Sequence, residues 1–222
     1  DLLPAIDLSN DAFPFMGAVS GEWSGIPMRL FRLSFSGELA YEIAVPTNQG
    51  DALMRALSSL GQKYGCTPYG LEALGILRIE KGHVAGGDLN GQVTAHDLGL
   101  GRMLSKKKDF IGRSMAERPA LVDPARQTLV GLKPVDAAQR LSAGSHLFRQ
   151  GAAEIASESQ GHVTSVAFSG VLDQWIALGL LANGPERIGE TIVAASPVRG
   201  TRIELEVCSP VFFDAAGERL RA

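Results

Sequence analysis

The sequence predicts an α+β chain whose first part, residues 1 to about 125, is a sheet with helices on one side. The remainder, about 126 to 222, is a small all-β sandwich or barrel. Three observations carry this. Residues 26 to 45 alternate with period two around a Ser-Gly turn, as a half-buried hairpin does. Residues 51 to 79 switch to a period near 3.6, the spacing of helices. After the proline-flanked stretch Pro119 to Gln127, short β-rich runs recur between Gly, Pro, Asn and Asp turns.

In the first strand, Ile26 to Phe35, Phe31, Leu33 and Phe35 share one face. In the second, Tyr41 to Val45, Tyr41, Ile43 and Val45 point one way and Glu42 with Ala44 the other. Ser36-Gly37-Glu38-Leu39 joins the two, and Pro46 ends the hairpin. Leu53, Met54, Leu57 and Leu60 predict a helix from Asp51 to about Tyr64, with Gly61 and Gly65 near its end. Leu71, Leu74 and Leu77 predict a second over Leu71 to Ile79, after the turn Thr67-Pro68-Tyr69-Gly70. Lys81 to Gly101 reads as a loop leading to an exposed basic segment, Lys106-Lys107-Lys108. The boundary between the parts falls near residue 125. The later strands are expected at Thr128 to Leu132, His162 to Phe168, Trp175 to Leu181, Thr191 to Ala194 and Thr201 to Val207.

Composition narrows the function. With 45% hydrophobic and 20% charged residues the chain is an ordinary globular sequence. A formal charge of −3 gives no general reason to bind nucleic acid or an anionic membrane. No apolar run approaches a membrane span. Cys66 and Cys208 lie far apart in no metal-ligand spacing, which reads as a reduced, cytoplasmic-type protein. Asp1-Leu2-Leu3-Pro4 has no signal-peptide character and reads as a cut inside a longer chain.

Candidate chemistry is sparse. Asp7, Asp11, Asp88, Asp97 and Asp109 stand in loop-like sequence without a partner at a defined spacing, so no acid/base pair is identified and no catalytic residue is assigned. His83, His96, His146 and His162 form no HxH or HxxxH pair, and no metal site is expected. Gly82, Gly86 and Gly87 make no phosphate-binding motif and read as a flexible turn. Lys106-Lys107-Lys108 reads as a solvated face and Trp175 as strand packing. Glu42 is more informative: a carboxylate mid-strand is either on a solvated outer face or paired with a donor, and its position alone leaves both open.

The stretch Arg32-Leu33-Ser34-Phe35-Ser36-Gly37-Glu38-Leu39-Ala40-Tyr41-Glu42-Ile43 resembles the hairpin signature R-x-G-[YF]-[ST]-G-E-x-x-[YF]-E-[IV] of the glycine-cleavage T-protein (aminomethyltransferase) superfamily of folate-binding enzymes. Pro14-Phe15-Met16 is similar to the family's upstream P-F-M, Gly70 to Gly82 to its G-L-x-A-x-D-x-L-R-x-E-x-G, and Lys108 to Gly112 to its K-x-D-F-[IV]-G. The variants at Asp7 to Met16, Ser34 to Leu39 and Arg78 to His83 look most like the C-terminal half of α subunits of heterotetrameric sarcosine oxidases.

The resemblance implies a T-protein-like mixed sheet with helices, incomplete at its N-terminus over residues 1–125, and an aminomethyltransferase-type C-terminal β-barrel over 126–222. It implies tetrahydrofolate as cofactor, with flavin and NAD expected only in other parts of a complete enzyme, and other oxidase subunits as partners. Tyr41, Glu42 and Arg78 are the implied folate-binding residues. Glu42 would accept N–H donors from the pterin, and it is expected to be at least partly buried, facing a cleft between the hairpin and the helix at Leu71 to Ile79. Two departures matter. Leu74 stands where the family has a folate-contacting arginine, with Gly75 in place of Asp, and Arg78 one turn on is equally suited to an ion pair or a cap. The family's catalytic aspartate corresponds to nothing in this chain, so the chain alone is expected to be inactive. A fragment of a true aminomethyltransferase and a non-catalytic subunit-interaction module are the alternatives.

Overall fold

The computed structural model describes residues 2–222 of the chain. It begins with a hairpin that the periodicity did not announce: strand β1 (Ala18–Trp23) pairs antiparallel with β2 (Ile26–Phe31) from Ala18↔Phe31 to Trp23↔Ile26. Its two-residue turn has both Ser24 (φ 52°) and Gly25 (φ 77°) in the left-handed region, the backbone that matches the twist of paired strands. β2 also pairs with β3 (Glu42–Ala44), giving a three-stranded sheet in the order β1-β2-β3. The expected hairpin pairing is therefore present, but β2 stops at Phe31 rather than Phe35. Arg32, whose backbone still bonds Gly17 O and Met16 N, buries its side chain, with Nη1 donating to Phe13 O at 2.8 Å and Nη2 to Ala222 O at 2.7 Å.

There follow α1 (Gly50–Gly61), continued by a 3-10 turn that Gly65 ends at φ 68°, then α2 (Leu71–Glu80) and the short α3 (Arg113–Ala116). Residues 81 to 101 form turns, and Lys106, Lys107 and Lys108 are exposed. Residue 125, where the sequence places a boundary, lies between a 3-10 turn at Pro119–Leu121 and β4 (Gln127–Pro134). After β4 come β5 (His146–Arg149), β6 (Gly161–Ser169), β7 (Gln174–Ala182), β8 (Thr191–Ser196) and β9 (Thr201–Cys208). These six close into a barrel in the order β4-β7-β6-β5-β8-β9, every neighbouring pair antiparallel.

The chain divides into two units, residues up to Gly75 with Asp214–Ala222, and Ile76–Phe213. In the first, one face of the sheet packs Met28, Leu30, Val19, Trp23 and Ile43 with Phe13, Ile6 and Tyr41. The opposite face, with Ala18, Ser20, Glu22, Pro27, Arg29 and Glu42, is exposed. Of the helical apolar residues in α1 only Leu53 is buried.

The second unit has two cores set by strand parity. Val130 and Leu132 of β4, Ile192 and Ala194 of β8, and Ile203, Leu205 and Val207 of β9 share one cluster with Leu147, Val163, Ala177 and Leu181. The alternate residues Leu129, Ile176, Leu178 and Leu180, with Ala167 beyond the bulge that shifts β6 between Val163 and Ser165, pack on the other side with Ile76 and Ile79 of α2 and with Leu98. β7 is apolar at consecutive positions because both of its faces are covered.

Candidate functional site

Within the signature of residues 32 to 43, most polar groups hold the loop itself. Ser34 Oγ donates to Glu38 O at 2.5 Å and accepts from Gly37 N at 3.0 Å, and Glu38 pairs with Arg219 at 2.7 Å. Arg32 is 1% exposed. Tyr41 is half-buried, its ring stacked on Phe13 with centroids 6.3 Å apart and planes 9° from parallel. Glu42 differs from its charged neighbours in the signature. Among the described residues its carboxylate has no hydrogen-bond or ion-pair partner, so all its acceptor positions are open to a ligand.

Glu42 is exposed, which corrects the expectation that it is at least partly buried. The cause is its parity on an edge strand. Ile43 faces the apolar cluster, so Glu42 and Ala44 face away, and β3 has no further strand beyond it among the described residues. Directly opposite Glu42 is Phe31, and opposite Ala44 is Arg29. A shallow depression of about 460 Å³ is bordered by Arg29, Ser20, Pro27, Ala44 and Pro46. Arg29 is exposed and, among the described residues, has no partner for its guanidinium. One open face thus carries an unpaired carboxylate, an aromatic ring and an unpaired guanidinium. Sequence reasoning missed Arg29, although its parity with Phe31 put it on that face.

Arg78 belongs to the second unit and is committed there. Its Nη1 donates to Asp88 Oδ2 at 2.5 Å and to His83 O at 3.1 Å, and its Nη2 to Ser165 Oγ at 2.8 Å. Asp88, fully buried, also accepts from Ala85 N at 3.0 Å, from Ser165 Oγ at 2.8 Å and from Thr164 Oγ1. Of the two roles open to Arg78, the structure shows the ion pair. The rest of that motif is architectural as well. Glu80, 4% exposed, accepts from Ser169 Oγ at 2.6 Å, and its backbone oxygen accepts from Phe212 and Phe213. Gly82 turns at φ 71°, where a Cβ would lie 2.5 Å from Pro210 O. Asp88 gave no sequence signal because its side-chain partners lie 10 residues before it and 76 and 77 after it.

A second buried acid, Asp97, receives Arg126 Nε at 3.0 Å and Nη2 at 2.7 Å, and Thr94 N at 2.8 Å. Burial pushes its carboxyl up, but these donors outweigh burial and hold it below the ordinary range. Burial raises the Cys208 thiol to about 11, an inert side chain near neutral pH. Among the described residues no three His, Cys, Asp or Glu side chains cluster to hold a metal, and no helix is long and apolar enough to cross a membrane.

The chain matches the GCVT N-terminal domain over residues 1–108 and the glycine cleavage T-protein C-terminal barrel domain over residues 127–214. It is 44% identical over 217 residues to sarcosine oxidase subunit alpha of Rhizobium meliloti (strain 1021), a match spanning 96% of this chain and 22% of that protein. It is 31% identical over 220 residues to an aminomethyltransferase of Streptomyces coelicolor, spanning 93% of this chain and 55% of that one. The crystal structure of glycine cleavage system aminomethyltransferase T from Bartonella henselae superposes with a TM-score of 0.77 at 26% identity, over 96% of this chain and 56% of that chain. The chain therefore spans less than a quarter of the oxidase subunit and about half of the aminomethyltransferases. A sheet followed by a closed six-stranded barrel, matched in order by both domain profiles, means that the chain belongs to the glycine cleavage T-protein family.

Proposed function

We propose that the chain is the folate-binding portion of a sarcosine oxidase alpha subunit, which captures the one-carbon unit of oxidised sarcosine. The observation that carries this reading over an aminomethyltransferase fragment is the 44% identity across nearly the whole chain to an oxidase alpha subunit, against 31% to an aminomethyltransferase. Residues 1–125 would be the C-terminal portion of the folate-binding domain and 126–222 its barrel. Tetrahydrofolate, when bound, supplies the nucleophilic nitrogens that take up the one-carbon unit as 5,10-methylenetetrahydrofolate.

The residues present fit that group in part. Glu42 offers an unpaired carboxylate that can accept two N–H donors from an aminopyrimidine edge. Tyr41, stacked on Phe13, fixes the strand that carries it. Arg78 is engaged with Asp88 and would act through the fold rather than on the ligand. Arg29, on the face of Glu42 and without a guanidinium partner among the described residues, is suited to the glutamate tail in place of the family arginine where Leu74 stands. Positioning of this kind can lower a barrier by about 7 to 11 kcal/mol. Flavin, NAD and the remaining subunits would belong to the rest of the enzyme, and the chain alone is expected to have no oxidase or aminomethyltransferase activity.

Calorimetric titration of tetrahydrofolate into the complete alpha subunit tests this. Glu42→Gln keeps the shape and removes the charge, so affinity should fall by about 1.5 to 3 kcal/mol, the worth of a hydrogen bond to a charged group. Unchanged affinity would reject the role of Glu42. No saturable binding even in the wild-type subunit would favour a subunit-interaction module.

A further inference from the structure

On the barrel, Arg140 and Arg199 line one concavity of about 170 Å³ together with Ser142, Ala143 and Trp175, and no carboxylate is among the lining residues. Neither guanidinium has an ion-pair or hydrogen-bond partner among the described residues. Arginine keeps its charge near neutral pH, so two such cations bordering one hollow make it electropositive and suited to an anion. Arg140 has one aromatic contact. Its guanidinium lies 5.2 Å from the Trp175 ring centroid, and Phe168 packs edge-on to that ring at 5.7 Å. A cation–π contact engages the face of a guanidinium rather than its N–H donors, which can still meet an oxyanion. The backbone supplies further donors, since the N–H groups of Ser142 and Ala143 donate to no acceptor among the described residues.

We propose that this concavity binds an oxyanion group, a phosphate or a carboxylate of a small ligand, clamped between Arg140 and Arg199 with the Ser142–Ala143 backbone as additional donor. The site is independent of the folate reading, because it lies wholly in the barrel and uses none of Tyr41, Glu42 or Arg29. Its volume admits a single anionic group with part of its carrier.

The full 222-residue chain is titrated by calorimetry with inorganic phosphate and, separately, with malonate, against sodium chloride at matched ionic strength, while tryptophan emission is recorded. Saturable binding of phosphate or malonate, with a change in emission that Trp175→Phe abolishes, is the expected result. Whichever anion binds more tightly identifies the ligand class. Arg199→Gln, which removes no side-chain hydrogen bond or ion pair among the described residues, should weaken that binding by about tenfold, the loss of one charge-assisted hydrogen bond. Arg140→Gln/Arg199→Gln should abolish it. Responses to both anions that match chloride, or saturable binding that survives the double substitution, would overturn the proposal.

Discussion

Replacing Asp88 by Ala should destabilise the barrel unit more than any surface substitution in this chain. The carboxylate is fully buried and receives four donors, from Arg78, Ala85, Thr164 and Ser165. Its removal leaves the Arg78 guanidinium, whose side chain is only 12% exposed, with two neutral acceptors, His83 O and Ser165 Oγ. Removing one partner of a buried ion pair costs about 3 to 5 kcal/mol, because the remaining charge is stranded in poorly solvated surroundings. At about 2 to 4 °C per kcal/mol for a chain of this size, the midpoint of thermal unfolding should fall by roughly 6 to 20 °C. Urea and thermal unfolding followed by far-ultraviolet circular dichroism measure this directly. Arg78→Met should cost a similar amount, since it strands the carboxylate instead. The double variant should cost less than the sum of the two, by about 0.5 to 3 kcal/mol of coupling. A loss below about 1 kcal/mol for Asp88→Ala, or strict additivity, would refute the reasoning. Arg78→Met that leaves stability intact but weakens tetrahydrofolate binding would return Arg78 to the ligand.

Three further outcomes are expected. Gly82→Ala, which places a Cβ 2.5 Å from Pro210 O at φ 71°, should lower stability by about 1 to 3 kcal/mol in the same unfolding assay, whereas Gly70→Ala, with nothing within 4 Å, should change it little. The carboxyl of Asp97 is depressed in the fold, so its contribution is complete above the unfolded value near pH ~4 and is lost as pH falls through the folded value; stability of Asp97→Asn measured from pH 7 to 3 should show a flatter acid limb than wild type. Cys66 is exposed and Cys208 has its thiol raised to about 11, so a thiol reagent at pH 8 should label one cysteine quickly, and Cys66→Ser should remove that fast phase.

How far the sequence reveals this molecule depends on how local the determining contacts are. The 3.6 period of Leu53, Leu57 and Leu60 marked α1, and Gly65 marked the end of the 3-10 turn that continues it, although the structure buries only Leu53 of that stripe. The alternating runs marked β4, β6, β7, β8 and β9 within a residue or two. β1 escaped because Gly21 interrupts its inward-facing series Val19, Gly21, Trp23 and leaves only two apolar positions to read, so its pairing with β2 defines it. β5 escaped because four residues, with one apolar position on each face, carry no period. For the site, parity correctly set Glu42 opposite Tyr41 and Ile43 but could not say which face would be covered. The commitments of Arg32 to residue 222, and of Arg78 to Asp88 and Ser165, are long-range and leave no spacing to read.

The two sheets differ in how they can change over evolutionary time. A ring of six strands in which each is paired on both sides presents no backbone for another strand, so no further strand can join it at an edge. The small sheet ends, among the described residues, at β1 on one side and β3 on the other, with unpaired ladder groups along both margins. Strands can be added there without disturbing what is already built. Proteins sharing these two units are therefore free to diverge in size by widening the first, while the second stays nearly constant in length and diameter.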